Sequence, residues 1–406
     1  MRNTFLHFLL LGSLAAFAQD KPVAPPHSAT FELGEGLVFS LNNGDYTFKL
    51  GGMIQPAIGF IKDSTADAEY LFNARRTYFN IGGKAKNEKL EFLIQTDFSL
   101  SSPLLDAWVA YQPHKTVKIT IGQKQTIANN REMMLMEDQL QYIDRSILST
   151  VYSNTGREFG VFVESKFDLA GILLAPQIAV TSGDGRNSFG TSSLDPDAGG
   201  FKYAARLDAY PFGDFKEGNN KQVADLYREE SPKLVLGAAA SYNDGASGTT
   251  GEGHNELALY NFRGELQLPD YRQVYGDVLF KYKGFSFLGE YGVATAKGLE
   301  GAYLNETATI NLVPRQISEL LSLGTGMNLQ AGYVTASGYG ADVRYASVAP
   351  EFDTNAASVV SNVTATSLGI TKYIKQNSLK LNASVTSYDF NRESSLRGDF
   401  MVQVIF

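Results

Sequence analysis

KLEFLIQTDF, residues 89–98, places Leu90, Phe92, Ile94 and Phe98 on one side of an extended chain and Lys89, Glu91, Gln95 and Asp97 on the other. A period of two is the period of a strand, whose successive side chains point to opposite faces. The pattern recurs. In TVKITIGQK, residues 116–124, Val117, Ile119 and Ile121 oppose Lys118, Thr120 and Gly122. In SLKLNASVTS, residues 378–387, Leu379, Leu381, Ala383 and Val385 oppose Lys380, Asn382, Ser384 and Thr386. In RGDFMVQVIF, residues 397–406, Phe400, Val402, Val404 and Phe406 form one apolar edge.

Sixteen such segments are predicted, at about 46–61, 72–85, 88–98, 103–112, 115–124, 155–167, 172–182, 200–212, 233–243, 274–283, 284–295, 324–336, 340–349, 360–374, 378–389 and 397–406. A soluble sandwich would alternate in the same way, so the connections carry the decision. Short joins (86–88, 112–115, 168–171, Lys283-Gly284, 375–377) alternate with longer ones (125–154, 183–199, 244–273, 296–323). Tight turns at one end and long loops at the other are the mark of an outer-membrane barrel. Two gaps depart from the rule: 213–232 is long on the short side, and 99–102 is short on the long side. The expected fold is all-β, a sixteen-stranded transmembrane antiparallel barrel in a bacterial outer membrane.

Composition agrees. The chain of 406 residues has 39 glycines, 26 phenylalanines and 21 tyrosines, which favours strands and tight turns, and its lack of cysteine excludes disulfides and thiolate metal sites. A net charge of −8 argues against a nucleic-acid partner. Arg2, an apolar run from Phe5 to Phe17 and the small-residue site Ala16-Phe17-Ala18 read as a signal peptide over 1–18. Residues 19–45 then read as a flexible periplasmic lead-in, and 46–406 as the barrel, with lipid as its first partner.

Residues 71–125, LFNARRTYFNIGGKAKNEKLEFLIQTDFSLSSPLLDAWVAYQPHKTVKITIGQKQ, resemble the phosphate-selective porin O and P family, with its Arg-Arg strand, its DAWV-type strand and its GQ-K strand. SNTGREFGVFVES (153–165), AARLDAYPFGDFKEGNN (204–220) and LYREESPKLVLGAAASYNDGA (226–246) resemble the same family, notably its Bacteroidetes-type members. The resemblance implies a trimeric porin whose third loop enters the lumen. It also implies that a paired arginine, here Arg75 and Arg76, meets anions near the constriction, with Asp106 and Lys124 as candidates from the adjoining motifs.

Adjacent strand residues point to opposite faces, so Arg75 must lie near the rim or a bulge must turn both arginines inward. An arginine facing lipid at mid-bilayer would cost about 2–4 kcal/mol. The 125–154 connection is too long to be idle. Folded inward, it would pack Met133, Met134, Leu135 and Met136 on the wall and line the narrowing with Arg131, Glu132, Glu137, Asp138, Asp144 and Arg145. Predicted lumen faces also carry Arg206 and Arg344, among cations and carboxylates in similar number. Such a mixed interior weakens the case for phosphate selectivity, since a selective anion pore wants rings of one sign.

His7, His27, His114 and His254 have no acid and serine to meet, so no catalytic site is expected. The acids of 182–188 and 194–200 lack the spacing of a Ca²⁺ loop and read as a glycine-rich turn, leaving no metal or cofactor. The function expected is passive diffusion of small hydrophilic solutes or ions, anions such as phosphate among them. The alternatives are a barrel serving as surface scaffold or adhesin, and a secreted soluble β protein that binds glycans.

Overall fold

A computed structural model describes residues 27–64, 67–85, 88–188, 199–254, 257–298, 301–390 and 393–406. The signal-peptide segment lies outside the described residues. All sixteen expected segments are strands: β1 Tyr46–Asp63, β2 Glu69–Ala85, β3 Leu90–Asp97, β4 Leu104–His114, β5 Val117–Gln125, β6 Arg157–Ser165, β7 Ile172–Thr181 and β8 Lys202–Tyr210. There follow β9 Lys233–Asn243, β10 Asp270–Tyr282, β11 Phe285–Lys297, β12 Gly324–Val334, β13 Tyr339–Pro350, β14 Val363–Lys375, β15 Leu379–Phe390 and β16 Glu393–Ile405. Each pairs antiparallel with the next, and β16 returns to β1 with Ser395 opposite Asp63 and Val404 opposite Ile54. The ring is closed, so no strand edge in the wall is left for lipid to face unpaired.

The sequence period sets which side chains point out. Ile58, Ile94, Ile121, Ile178, Val274, Leu368 and Phe400 are exposed on the outer surface. Gln55, Gln95, Lys202, Lys281, Asn328, Lys380 and Gln403 are buried inside. This is a globular protein turned inside out, as a hydrocarbon solvent requires. Among the described residues no helix is long and apolar enough to cross a membrane. Phe406 extends the last strand: its N–H donates to Gly52 O at 2.9 Å and its C=O accepts from Gly52 N–H at 2.6 Å. On the short side β10 and β11 meet through Lys283 and Gly284, both with positive φ (49° and 96°), the backbone of a two-residue hairpin turn.

Residues 27–41, expected within a flexible lead-in, are ordered. His27–Glu32 pairs with Gly36–Leu41, which pairs with Tyr46–Leu50 of β1 just below the point where β16 ends. The turn between them is fixed by Gly34 N–H donating to Ile405 O at 2.9 Å and by Lys375 bonding Glu32 at 2.9 Å. Prolines upstream suggested a loose tether, whereas open backbone groups on β1 supply a pairing partner that composition does not reveal.

Two connections fill part of the interior. The third outer loop, 126–156, carries α1 (Arg131–Met134) and α2 (Ile147–Tyr152) and crosses the lumen. Its Tyr142 hydroxyl donates to Ser367 O on β14 at 3.3 Å, and Asn382 on β15 donates to Gln141 O at 2.7 Å. From the other end the long 211–232 connection turns upward. Its Phe215 and Val223 pack with Leu135 and Leu140 of the outer loop, over Val235, Leu279 and Leu288 of the wall. The half of the barrel bounded by β8–β14 is therefore packed. Open space lies along β1–β3, with β15, β16 and the start of β6 bordering its outer end.

Candidate functional site

On β1 and β2 the register slips: Ile54 is opposite Thr77, but Pro56 is opposite Ala74, so Gln55 alone faces both Arg75 and Arg76. Two residues against one is a β-bulge, and it turns adjacent side chains to the same side. Pro56 suits the position because it has no N–H to offer the ladder. Both arginines enter the lumen. Arg75 donates to Asp399 at 2.6 Å and lies 3.4 Å from Asp144, while Arg76 donates to Gln55 and to the Ile143 carbonyl, both at 3.0 Å.

Around them lies an outer cavity of ≈530 Å³, lined by Arg75, Arg76, Arg145, Arg157, Arg186 and Arg397 against the carboxylates Glu137 and Asp144. Arg397 pairs with Asp144 at 2.8 Å and with Asp399 at 2.8 Å. Arg145 pairs with Glu137 at 2.9 Å, and Arg157 pairs with Asp106 at 3.1 Å. Burial would push the Glu137 carboxyl up, but Arg157, Arg145 and Arg76 outweigh it and hold the group below the ordinary carboxylate range. It stays ionised at any physiological pH. Arginines outnumber the acids in this chamber, although the chain as a whole is acidic.

Beneath it is an inner cavity of ≈1130 Å³, with Met53, Tyr78, Gln95, Met136, Asp138 and Gln139 in its wall. Arg76 and Tyr78 on β2 stand two residues apart, as Glu137 and Asp138 of the loop stand one apart. The two cavities approach each other where β2 faces residues 136–138.

The other sequence candidates lie elsewhere. Arg131 and Arg206 share Asp208 and Asp277 in a buried cluster, with Arg131 2.7 Å from Asp208 and the Arg206 and Asp277 side chains fully covered. Arg344 lies 3.3 Å from Glu132 and donates to the Asp144 carbonyl at 3.0 Å. Glu132 also accepts from the Ser146 hydroxyl and the Ser149 hydroxyl, each at 2.6 Å. These four charged residues tie the loop to β8, β10 and β13 and do not meet the cavity. Lys124 bonds Glu164 on the neighbouring strand. Asp138 borders the inner cavity, and its carbonyl accepts from Lys380 at 2.9 Å. Sequence reasoning missed Arg157, Arg186 and Arg397. Arg157 and Arg397 lie in segments identified as strands, but their partners Asp106 and Asp144 are far away along the chain. Among the described residues no cluster of His, Cys, Asp and Glu could hold a metal ion.

No protein-family model and no curated protein matches this chain. Solved structures do resemble it. A loop-L8 deletion mutant of OmpT, an outer membrane protein of Vibrio cholerae, is 12% identical with a TM-score of 0.54, covering 89% of this chain and 100% of its own. An anion-selective porin from Comamonas acidovorans is 10% identical with a TM-score of 0.54, covering 89% and 100%. OprB of Pseudomonas putida is 9% identical with a TM-score of 0.50, covering 89% and 94%. At such identities the likeness is one of fold. A closed sixteen-stranded barrel with an apolar outer surface and a polar interior, built like these outer-membrane proteins, places the chain in a bacterial outer membrane.

Proposed function

We infer that the chain is a porin, a passive channel for small hydrophilic solutes that favours small anions, phosphate among them, and that it works as a homotrimer without catalysing a reaction. The observation that carries the anion preference is the bulge at Gln55, which brings Arg75 and Arg76 together beside Arg145, Arg157, Arg186 and Arg397 in one open chamber. Excess positive charge in a water-filled channel with low-dielectric walls raises the local concentration of anions. Guanidinium forks also match the oxygens of phosphate and carboxylate. The resemblance in residues 71–125 favours the phosphate-selective class, and one of the solved structures of like fold is an anion-selective porin. The trimer follows from the same resemblance.

The test is a planar-bilayer recording under a salt gradient. Attraction between unit charges about 4 Å apart in water is about 1 kcal/mol, or about fivefold in partition. Arg75→Ala/Arg76→Ala should therefore lower the chloride-to-potassium permeability ratio by about that factor while the channel still conducts. A reversal potential identical to that of the unaltered protein would remove these arginines from the reading. Absence of stepwise conductance from correctly folded protein would remove the porin itself and favour a surface scaffold.

A further inference from the structure

A third cavity, of ≈370 Å³, opens at the periplasmic mouth between the N-terminal hairpin and the lower parts of β1–β4. Its position follows from register: Lys49, Gly82, Leu93 and Trp108 are neighbours across four strands. Gly82 has no side chain, so the wall is hollow beside Leu93 and Trp108, the only tryptophan of the chain. A Cβ at Gly82 would meet nothing nearer than Phe92 O at 3.4 Å and Leu93 Cδ1 at 3.5 Å, so the hollow is real space. The floor is apolar and aromatic. The rim is charged, but its charges are already matched: Lys49 with Glu35, Lys84 with Glu91 at 3.8 Å and with Glu88 at 3.4 Å, and Lys118 with Glu91 at 2.6 Å. Asn80 and Thr47 add neutral donors and acceptors.

We propose that this niche is a binding subsite for a neutral saccharide ring, which stacks an apolar C–H face on Trp108 and Leu93 and directs its hydroxyls to the Lys49–Glu35 and Lys84–Glu91 pairs. An anion would meet Glu35 and Glu91, and a cation would meet Lys49 and Lys84, so a net charge gains nothing at a self-compensated rim. A polyhydroxylated ring suits it, because each hydroxyl both donates and accepts. The volume lies within the roughly 300–1,000 Å³ of small-molecule pockets. Stacking a ring there removes apolar area from water without burying an unpaired charge. The proposal deepens the porin reading by giving the pathway a stop for uncharged solutes, separate from the arginine chamber.

Because Trp108 is the sole tryptophan, its emission reports on this site alone. Folded protein in detergent micelles is titrated with maltose, with gluconate and with inorganic phosphate. Maltose should shift the emission saturably, with a midpoint in the millimolar range, and the two anions should not. Gly82→Leu, which fills the hollow and leaves Trp108 in place, should weaken the maltose response at least tenfold while circular dichroism stays that of a barrel. A response that grows linearly without saturation, or is matched by gluconate, or survives Gly82→Leu, overturns the proposal. The titration needs no conduction, so its failure is distinct from failure of the porin reading.

Discussion

Single residues decide what the interior does with its charge. Arg75 and Arg76 are legible as a pair in the sequence, and lipid's intolerance of arginine frames the choice between rim and bulge. The bulge itself depends on Pro56 and Gln55 of the facing strand. Arg131, Arg206 and Arg344 are equally visible as inward cations, yet each is spent on holding a carboxylate. A pattern of faces cannot separate a pore charge from an anchor, because both have carboxylate partners: Arg75 pairs with Asp399 at 2.6 Å yet still borders the outer cavity, whereas Arg131, Arg206 and Arg344 do not. Arg131→Ala should show the difference. It would leave Asp277 and Asp208 with Arg206 alone, and removing one partner of a buried pair costs about 3–5 kcal/mol. The loop should then loosen, seen as noisier and larger single-channel currents, with ion preference changed less than by Arg75→Ala/Arg76→Ala.

At the scale of elements, the sixteen strands were readable because alternation is local, and the turns because their lengths are. The destinations of the two long connections were not local. For the 125–154 connection the resemblance implies an inward course, which its length and methionines suit, while an outward loop or a trimer contact would suit them as well. For 211–232 the sequence offers only an unexplained length on the short side. What draws it upward is Lys281, buried on β10, whose ammonium donates to the carbonyls of Asn219, Gln222 (2.7 Å) and Ala224 (3.1 Å). Asp225 holds the other side, accepting from Gly284 N–H at 2.7 Å and Glu229 N–H at 3.1 Å. This segment narrows the lumen from below as the third loop does from above. Replacing residues 214–231 with an Asn-Gly turn, together with Lys281→Ser to leave no stranded ammonium, should raise conductance about twofold or more, since a sixteen-stranded ring freed of such filling is an open aqueous channel. Liposome-swelling rates with sugars of increasing size measure it, and an unchanged size limit would mean the third loop alone sets the aperture.

For the whole molecule, the reversal of inside and outside turns an ordinary rule of mutation around. In a soluble protein an exposed isoleucine can become arginine within about 0.5 kcal/mol. Ile121 is 55% exposed near the middle of β5, and in a bilayer Ile121→Arg should cost about 2–4 kcal/mol. Urea unfolding in lipid vesicles measures the loss, and a neutral result would deny that hydrocarbon touches this surface. The seam between β1 and β16 has a kinetic meaning as well. It joins residues more than 330 positions apart, so ring closure brings together partners among the most remote in the chain. Contacts of that separation form slowly. Once the circle is made, no strand can peel from a free side, and disassembly must rupture a ladder already braced by neighbours on both flanks. Slow arrival and slower departure are then two faces of one seam, and the folded protein should persist in cold detergent long after its equilibrium stability alone would predict.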